Sequence, residues 1–134
     1  FIGRRDDSAN MKLAREMNIV TSKEGIKAIT DTPQAFSLVF DATSAQDHKL
    51  HAPILEKLGI PVIDLTPAKM GTVCIPAVNG RDISHEKNIN LISCGGQASI
   101  PMAYAISQVQ PSINYIEVVT TVASVCAGAA TRAN

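Results

Sequence analysis

The chain has 134 residues, of which 46% are apolar and 18% charged, and its twelve basic and twelve acidic side chains cancel. This length suffices for a sizeable core, and the composition excludes a disordered chain. The missing basic surplus argues against nucleic-acid binding through phosphate electrostatics, and no apolar run reaches the roughly 20 residues of a bilayer span. The longest such run, 113–127, is interrupted by Asn114, Glu117, Thr120, Thr121 and Ser124. The start, Phe1-Ile2-Gly3-Arg4-Arg5, does not read as a signal peptide. Three cysteines, Cys74, Cys94 and Cys126, show neither paired nor zinc-type spacing, which fits a reducing, cytoplasmic location. The opening Phe1 and the closing Thr131-Arg132-Ala133-Asn134 read as the ends of a segment of a longer protein.

In chain order, Phe1-Ile2-Gly3 reads as the tail of a strand. Ser8 is placed to cap a helix over residues 9–17, with Met11, Ala14 and Met17 on one face. Ser22 caps a short helix ending at Ile29. Residues 36–40 form a buried strand ended by Asp41. A helix follows over about 46–58, with Pro53 awkwardly inside it and Gly59 as its stop. Residues 60–65 form the next strand, and Thr66-Pro67 opens one helical turn. Residues 75–79 are a short apolar segment, and 90–93 a strand leading into Cys94. A helix is predicted over 101–108 with Pro101 in its first turn, and a long β-branched strand over 113–125. Alternating strands and helices predict a parallel sheet covered by helices, with ligands at the carboxyl ends of the strands. Asp41, Asp64 and Cys94 stand at such ends. The change of character after Ser93 places a domain boundary there.

Ser93-Cys94-Gly95-Gly96-Gln97 is the strongest local signal for chemistry. A thiol between a strand end and a helix start lies in the positive field of the helix terminus, which favours the thiolate. Two bare glycines let backbone N–H groups approach an oxyanion. The alternative is a buried cysteine beside a glycine turn. Cys74, between Val73 and Ile75, reads as core, while Cys126 is either structural or part of a ligand site. His48 and His51 share a helix face, but two ligands make no metal site, and the pattern favours solvated surface histidines. His85 reads as loop. Asp41 with Thr43 and Ser44, and Asp64 with Thr66, either cap the following segment or face a ligand. The eight glycines contain neither a dinucleotide fingerprint nor a phosphate-binding loop.

Three stretches together resemble one family. They are Val39-Phe40-Asp41-Ala42-Thr43-Ser44-Ala45, Val62-Ile63-Asp64-Leu65-Thr66-Pro67 and Cys94-Gly95-Gly96-Gln97-Ala98-Ser99-Ile100-Pro101, and the match extends through Gly128 and Thr131-Arg132-Ala133-Asn134. The chain is similar along its whole length to the acylating acetaldehyde dehydrogenases, which convert acetaldehyde, coenzyme A and NAD to acetyl-CoA and NADH. The resemblance implies an α/β fold: a truncated Rossmann-type parallel sheet, residues 1–93, without its first strand and glycine loop, then residues 94–134, the start of an α+β catalytic and dimerisation domain. It implies Cys94 as the nucleophile that forms the acyl-thioester, and cofactor contacts from Cys126, Ala127, Gly128, Ala129, Ala130, Thr131, Arg132, Ala133 and Asn134. It also implies a homodimer and a 4-hydroxy-2-oxovalerate aldolase partner that hands over acetaldehyde in aromatic hydrocarbon catabolism; the residue spacings themselves offer no metal site.

Two departures stand out. Gly3-Arg4-Arg5 replaces the acid that often follows the second strand, so NAD is expected with NADP left open. Cys126-Ala127-Gly128-Ala129-Ala130-Thr131-Arg132 lacks the family's proline and has cysteine for serine, which loosens that loop and removes a hydroxyl. Two alternatives remain: a cysteine-dependent semialdehyde or acyl-phosphate dehydrogenase, and a non-catalytic cofactor-binding module.

Overall fold

The computed structural model describes residues 1–92, 94–121 and 123. The chain divides into two compact units, Phe1–Ser93 and Cys94–Asn134.

The first unit is built on four short parallel strands. β1 (Val39–Asp41) is followed by helix α3 (Ala45–Lys57) and β2 (Val62–Asp64); β3 (Thr72–Val73), helix α4 (Pro76–Asn79) and β4 (Asn88–Asn90) come next. The spatial order is β1-β2-β4-β3, so β1 and β3 are the edges. Two short helices precede the sheet, α1 (Ala9–Glu16) and α2 (Lys27–Thr30), with a 3-10 turn at Pro33–Ala35. This is a Rossmann-like α/β arrangement, as the alternation of the sequence predicts. Ile2, the predicted strand tail, pairs in parallel with Ser22.

Local chemistry explains these elements. Ser8 caps α1, its side chain accepting from the Met11 amide, and Met11 and Ala14 are buried. Met17, predicted on the same face, is the C-cap and is exposed. Ser44 caps α3 by accepting from the Asp47 amide at 3.1 Å, while its hydroxyl donates to Asp47 Oδ2 at 2.8 Å. Asp47 in the first turn and Lys57 in the last complement the helix dipole. His48, Ala52 and Leu55 fall four and three residues apart and form the buried stripe of α3. Gly59 ends the helix in the left-handed region, φ +69°. Pro53 lies inside α3 without ending it, on the exposed side. Leu55, Ile29, Ile60 and Val62 make the core, flanked by Ile2, Ile26, Phe36, Val39 and Leu58.

Several boundaries differ from the sequence expectation. The second helix begins at Lys27, not after Ser22, whose hydroxyl instead accepts from the Glu24 amide. Thr66-Pro67 forms a turn, not a helical one. The strand predicted at 90–93 is Asn88–Asn90, and the two-residue β3 carries no sequence signal at all. Strand bounds are set by ladder partners, which apolarity alone does not reveal.

Gly71 precedes β3 with φ +73°, and a Cβ there would collide with the Asn88 backbone oxygen. Gly71→Ala is expected to lower stability by about 1–3 kcal/mol, read as a fall of several degrees in thermal midpoint. An unchanged midpoint would show that the β3–β4 junction yields freely.

In the second unit, α5 spans Cys94–Val109. The helix predicted at 101–108 thus begins seven residues earlier, at the cysteine itself, and Pro101 lies inside it rather than in its first turn. The amide that Pro101 lacks would bond to the Gln97 carbonyl, so one bond of the helix ladder is lost there. The long strand predicted at 113–125 is absent among the described residues of that range. No described segment pairs with it, and an extended chain without a ladder partner is not a strand.

Candidate functional site

Parallel pairing aligns three polar residues at the carboxyl ends of adjacent strands. Asp41 is in register with Asp64, and Asp64 with Asn90. All three are buried. Each closes its strand with the same turn, in which the side-chain oxygen accepts from the amide two residues on. Asp41 Oδ1 accepts from Thr43 at 3.1 Å, Asp64 Oδ1 from Thr66 at 2.7 Å, and Asn90 Oδ1 from Ile92 at 2.9 Å. The repeated Asp-x-Thr after β1 and β2 is legible in the sequence. Asn90 is not, because the sequence reads it as a strand beginning.

The remaining oxygens tie the strand ends to one another. Asn90 Nδ2 donates to Asp64 Oδ2 at 2.7 Å. His48 is fully buried, with Nδ1 2.9 Å from Asp41 Oδ2 and Nε2 3.4 Å from Asp64 Oδ2. His51, one turn on, places Nδ1 2.9 Å from the same Asp41 oxygen. The two histidines are therefore not the solvated surface pair that the sequence favours. Their three-residue spacing was legible; that this face packs on two strand-end carboxylates was not. Asp41 likewise does not cap α3, a task that Ser44 performs. Among the described residues no group of three or more side chains is placed to hold a metal.

Burial alone would raise the Asp41 pKa, but the hydrogen bonds from Thr43, His48 and His51 outweigh it and hold the carboxyl at about 2, below its usual 3.8. A depressed folded-state value means stability that is present above about pH 4 and lost as pH falls toward 2. The shift corresponds to about 2 kcal/mol at neutral pH. Acid unfolding should show this loss, and Asp41→Asn should flatten the pH dependence of stability between about 4 and 2.

A cleft of about 1020 Å³ opens beside this cluster. Ile2, Gly3, Arg4, Phe40, Thr43, Ser44 and Asp47 are among the residues that line it. Ala42, Thr43 and Ser44 are exposed. The Arg4 guanidinium lies 3.6 Å from Asp47 Oδ2.

Of the two described cysteines, Cys74 is buried and Cys94 exposed. Burial pushes the Cys74 thiol above its usual range, in keeping with a core role. Cys94 is the first residue of α5, followed by Gly95 and Gly96 in the opening turn. The Ser99 hydroxyl donates to the Gly95 carbonyl at 2.8 Å. A Cβ on Gly95 would sit 3.6 Å from the Thr120 side chain, which leaves ordinary contact distance. The predicted cofactor residues Cys126, Ala127, Gly128, Ala129, Ala130, Thr131, Arg132, Ala133 and Asn134 lie outside the described residues.

Comparison with known proteins points one way. A family profile for prokaryotic acetaldehyde dehydrogenase, dimerisation, matches residues 94–134. An acetaldehyde dehydrogenase of Spirochaeta aurantia is 52% identical over 134 residues, which is all of this chain and 45% of that protein. One from Pectobacterium atrosepticum is 54% identical over 136 aligned positions, covering all of this chain and 46% of that protein. By sequence, the chain is similar along its whole length to acetaldehyde dehydrogenases. A third, from Burkholderia thailandensis, is 50% identical over 99% of the chain. The chain spans a little under half the length of these curated relatives. Among the described residues no helix is long and apolar enough to cross a membrane.

Proposed function

We propose that a protein carrying this chain is an acetylating acetaldehyde dehydrogenase, which joins acetaldehyde to coenzyme A with reduction of an NAD-type dinucleotide. The observation that carries this reading is the identity of about half of all residues, along the whole chain, to proteins named acetaldehyde dehydrogenase. Residues 1–93 serve as the dinucleotide-binding half, and residues 94–134 begin the catalytic and dimerisation half.

The donor set fits a dinucleotide. The turn after β1, with the exposed Thr43 and Ser44, and the Arg4 guanidinium offer hydroxyl, amide and cationic donors around one cleft, at the carboxyl end of a strand in register with two others. Residues 126–134 contribute further contacts to the cofactor. When bound, the nicotinamide supplies a hydride acceptor.

The chain's own chemistry falls to Cys94. Its sulfur adds to the aldehyde carbon and forms a carbon–sulfur bond. The carbonyl electron pair moves to oxygen, beside the positive end of α5. Loss of hydride and a proton from this adduct leaves a thioester on Cys94. The thiol of coenzyme A then attacks the thioester carbon, the acyl group departs as acetyl-CoA, and Cys94 is regenerated.

A homodimer suits the second unit. From Cys94 through Val109 the sequence holds no charged side chain, and Met102, Ile106, Val109, Tyr115 and Val119 are exposed. A 4-hydroxy-2-oxovalerate aldolase would supply the acetaldehyde, and the reaction is placed in the cytoplasm.

The test is nucleotide reduction by the complete protein supplied with acetaldehyde, with and without coenzyme A. Reduction that requires coenzyme A is expected. Reduction with phosphate in place of coenzyme A would favour a phosphorylating semialdehyde dehydrogenase, and no reduction in any combination would overturn the reading.

A further inference from the structure

Asn79-Gly80 is the one place in the chain where glycine follows asparagine. Glycine has no side chain to keep its amide nitrogen away from the preceding carboxamide, so that nitrogen can attack the asparagine Cγ once the backbone is free to turn. The pair closes α4, with Asn79 as its last residue and Gly80 as its C-cap, shortly after the edge strand β3.

Each residue has its own structural reason to be there. Asn79 clips β3 to the start of α4: its Oδ1 accepts from the Ile75 amide at 2.9 Å, and its Nδ2 donates to the Val73 carbonyl at 2.9 Å. A carboxamide supplies both roles, a carboxylate only the first. Gly80 is needed for space, since a Cβ there would stand 2.7 Å from the Pro76 carbonyl oxygen. Hydrogen bonding and packing thus keep together two residues that make a reactive pair.

The fold restrains the reaction. Attack requires the peptide between Asn79 and Gly80 to rotate until its nitrogen faces Cγ. The Gly80 amide donates to the Pro76 carbonyl at 3.3 Å, and the Asn79 carbonyl accepts from the Asp82 and Ile83 amides at 3.1 and 3.3 Å. Rotation breaks these bonds, and the carboxamide is itself held at both ends. Yet β3 has two residues and α4 four, and β3 is an edge of the sheet. Short edge elements of this kind open locally at less cost than the whole unit unfolds.

We propose that Asn79 is a site of spontaneous deamidation, controlled by local opening of the β3–α4 edge. The Gly80 nitrogen forms a bond to Cγ and gives up its proton, the Cγ–Nδ2 bond breaks, and Nδ2 leaves as ammonia. Water then opens the resulting succinimide at either carbonyl and leaves aspartate or isoaspartate, with no change of oxidation state. The product does not refasten the clip. A carboxylate has no proton to give the Val73 carbonyl, and isoaspartate adds a carbon to the main chain. The neighbouring Cys74 amide donates to the Asn90 carbonyl at 2.8 Å, so the loosened edge adjoins the side-chain network at the strand ends.

Peptide mapping by mass spectrometry tests this on the complete protein, held at mildly alkaline pH with and without denaturant. In full denaturant, Asn79 is expected to convert faster than any other asparagine of these 134 residues. In the folded protein it should convert at least about tenfold more slowly, and the rate should rise at denaturant concentrations below the global transition. Asn79→Asp, the product made directly, should lower the thermal midpoint by several degrees, while Asn79→Gln, which keeps the carboxamide, should convert more slowly in denaturant by about tenfold or more. No conversion at Asn79 in denaturant would overturn the site. Equal rates in the folded and unfolded protein, or a folded rate that rises only with the global transition, would overturn control by the β3–α4 edge. An unchanged midpoint in Asn79→Asp would overturn the claim that the product leaves the clip broken.

Discussion

Replacing Cys94 with serine is expected to lower acetyl-CoA formation by roughly a thousandfold or more, since removal of a covalent nucleophile takes away the step on which the others depend. The hydroxyl keeps nearly the same shape at the exposed first position of α5. Folding should therefore be unaffected, and dinucleotide affinity should stay within about twofold. The two measurements together are informative. Lost acyl transfer with intact nucleotide binding is the signature of a nucleophile. Acetyl-CoA formation retained in Cys94→Ser would remove Cys94 from the mechanism, and with it the route through a cysteine thioester. Lost activity together with lost binding would point to a structural thiol, which its exposure argues against.

Asp41→Ala is expected to be among the most destabilising single changes in the first unit. The carboxylate is buried and accepts from the Thr43 amide and, at 2.5 Å, from its hydroxyl. Its other oxygen meets two imidazoles at 2.9 Å each. Truncation leaves His48, wholly buried, with no partner at Nδ1 and opens the end of β1. Breaking a buried, hydrogen-bonded pair on one side costs about 3–5 kcal/mol, or a fall on the order of 10 °C in thermal midpoint. Thr43→Val, which removes a single hydroxyl bond, should cost only about 1 kcal/mol. If Asp41→Ala were no worse than Thr43→Val, the histidine contacts would contribute nothing net. The network would then be an ornament of the strand ends and not their fastening.

These effects share a cause. β1, β2 and β4 contain three residues each, too few to hold a sheet by backbone bonds and apolar contact alone. Asp41, His48, Asp64 and Asn90 form a second, side-chain connection across the same strands. It holds their carboxyl ends, and the turns that follow them, in fixed relation. The turn after β1 lines the cleft, so the fastening that stabilises the first unit also shapes its candidate site.

The sequence by itself determined what depends on near neighbours. Ser8 and Ser44 announce helix starts, because a cap bonds an amide three residues on. Gly59 announces a helix end, because glycine enters the left-handed region without strain. The alternation of apolar runs and helices declares a parallel α/β sheet, and the Cys94-Gly95-Gly96-Gln97 run, with the two Asp-x-Thr stretches, carries the resemblance. Tertiary structure decided whatever depends on partners distant in the chain. Asn90 became a strand end and a site residue only through its register with Asp64. His48 and His51 were drawn inward because the face of α3 that carries them packs on two strand-end carboxylates, and spacing reports the face but not what it meets. The β-branched stretch after residue 112 has strand propensity throughout and forms no strand among its described residues, because a ladder needs a second chain segment and propensity supplies only the first.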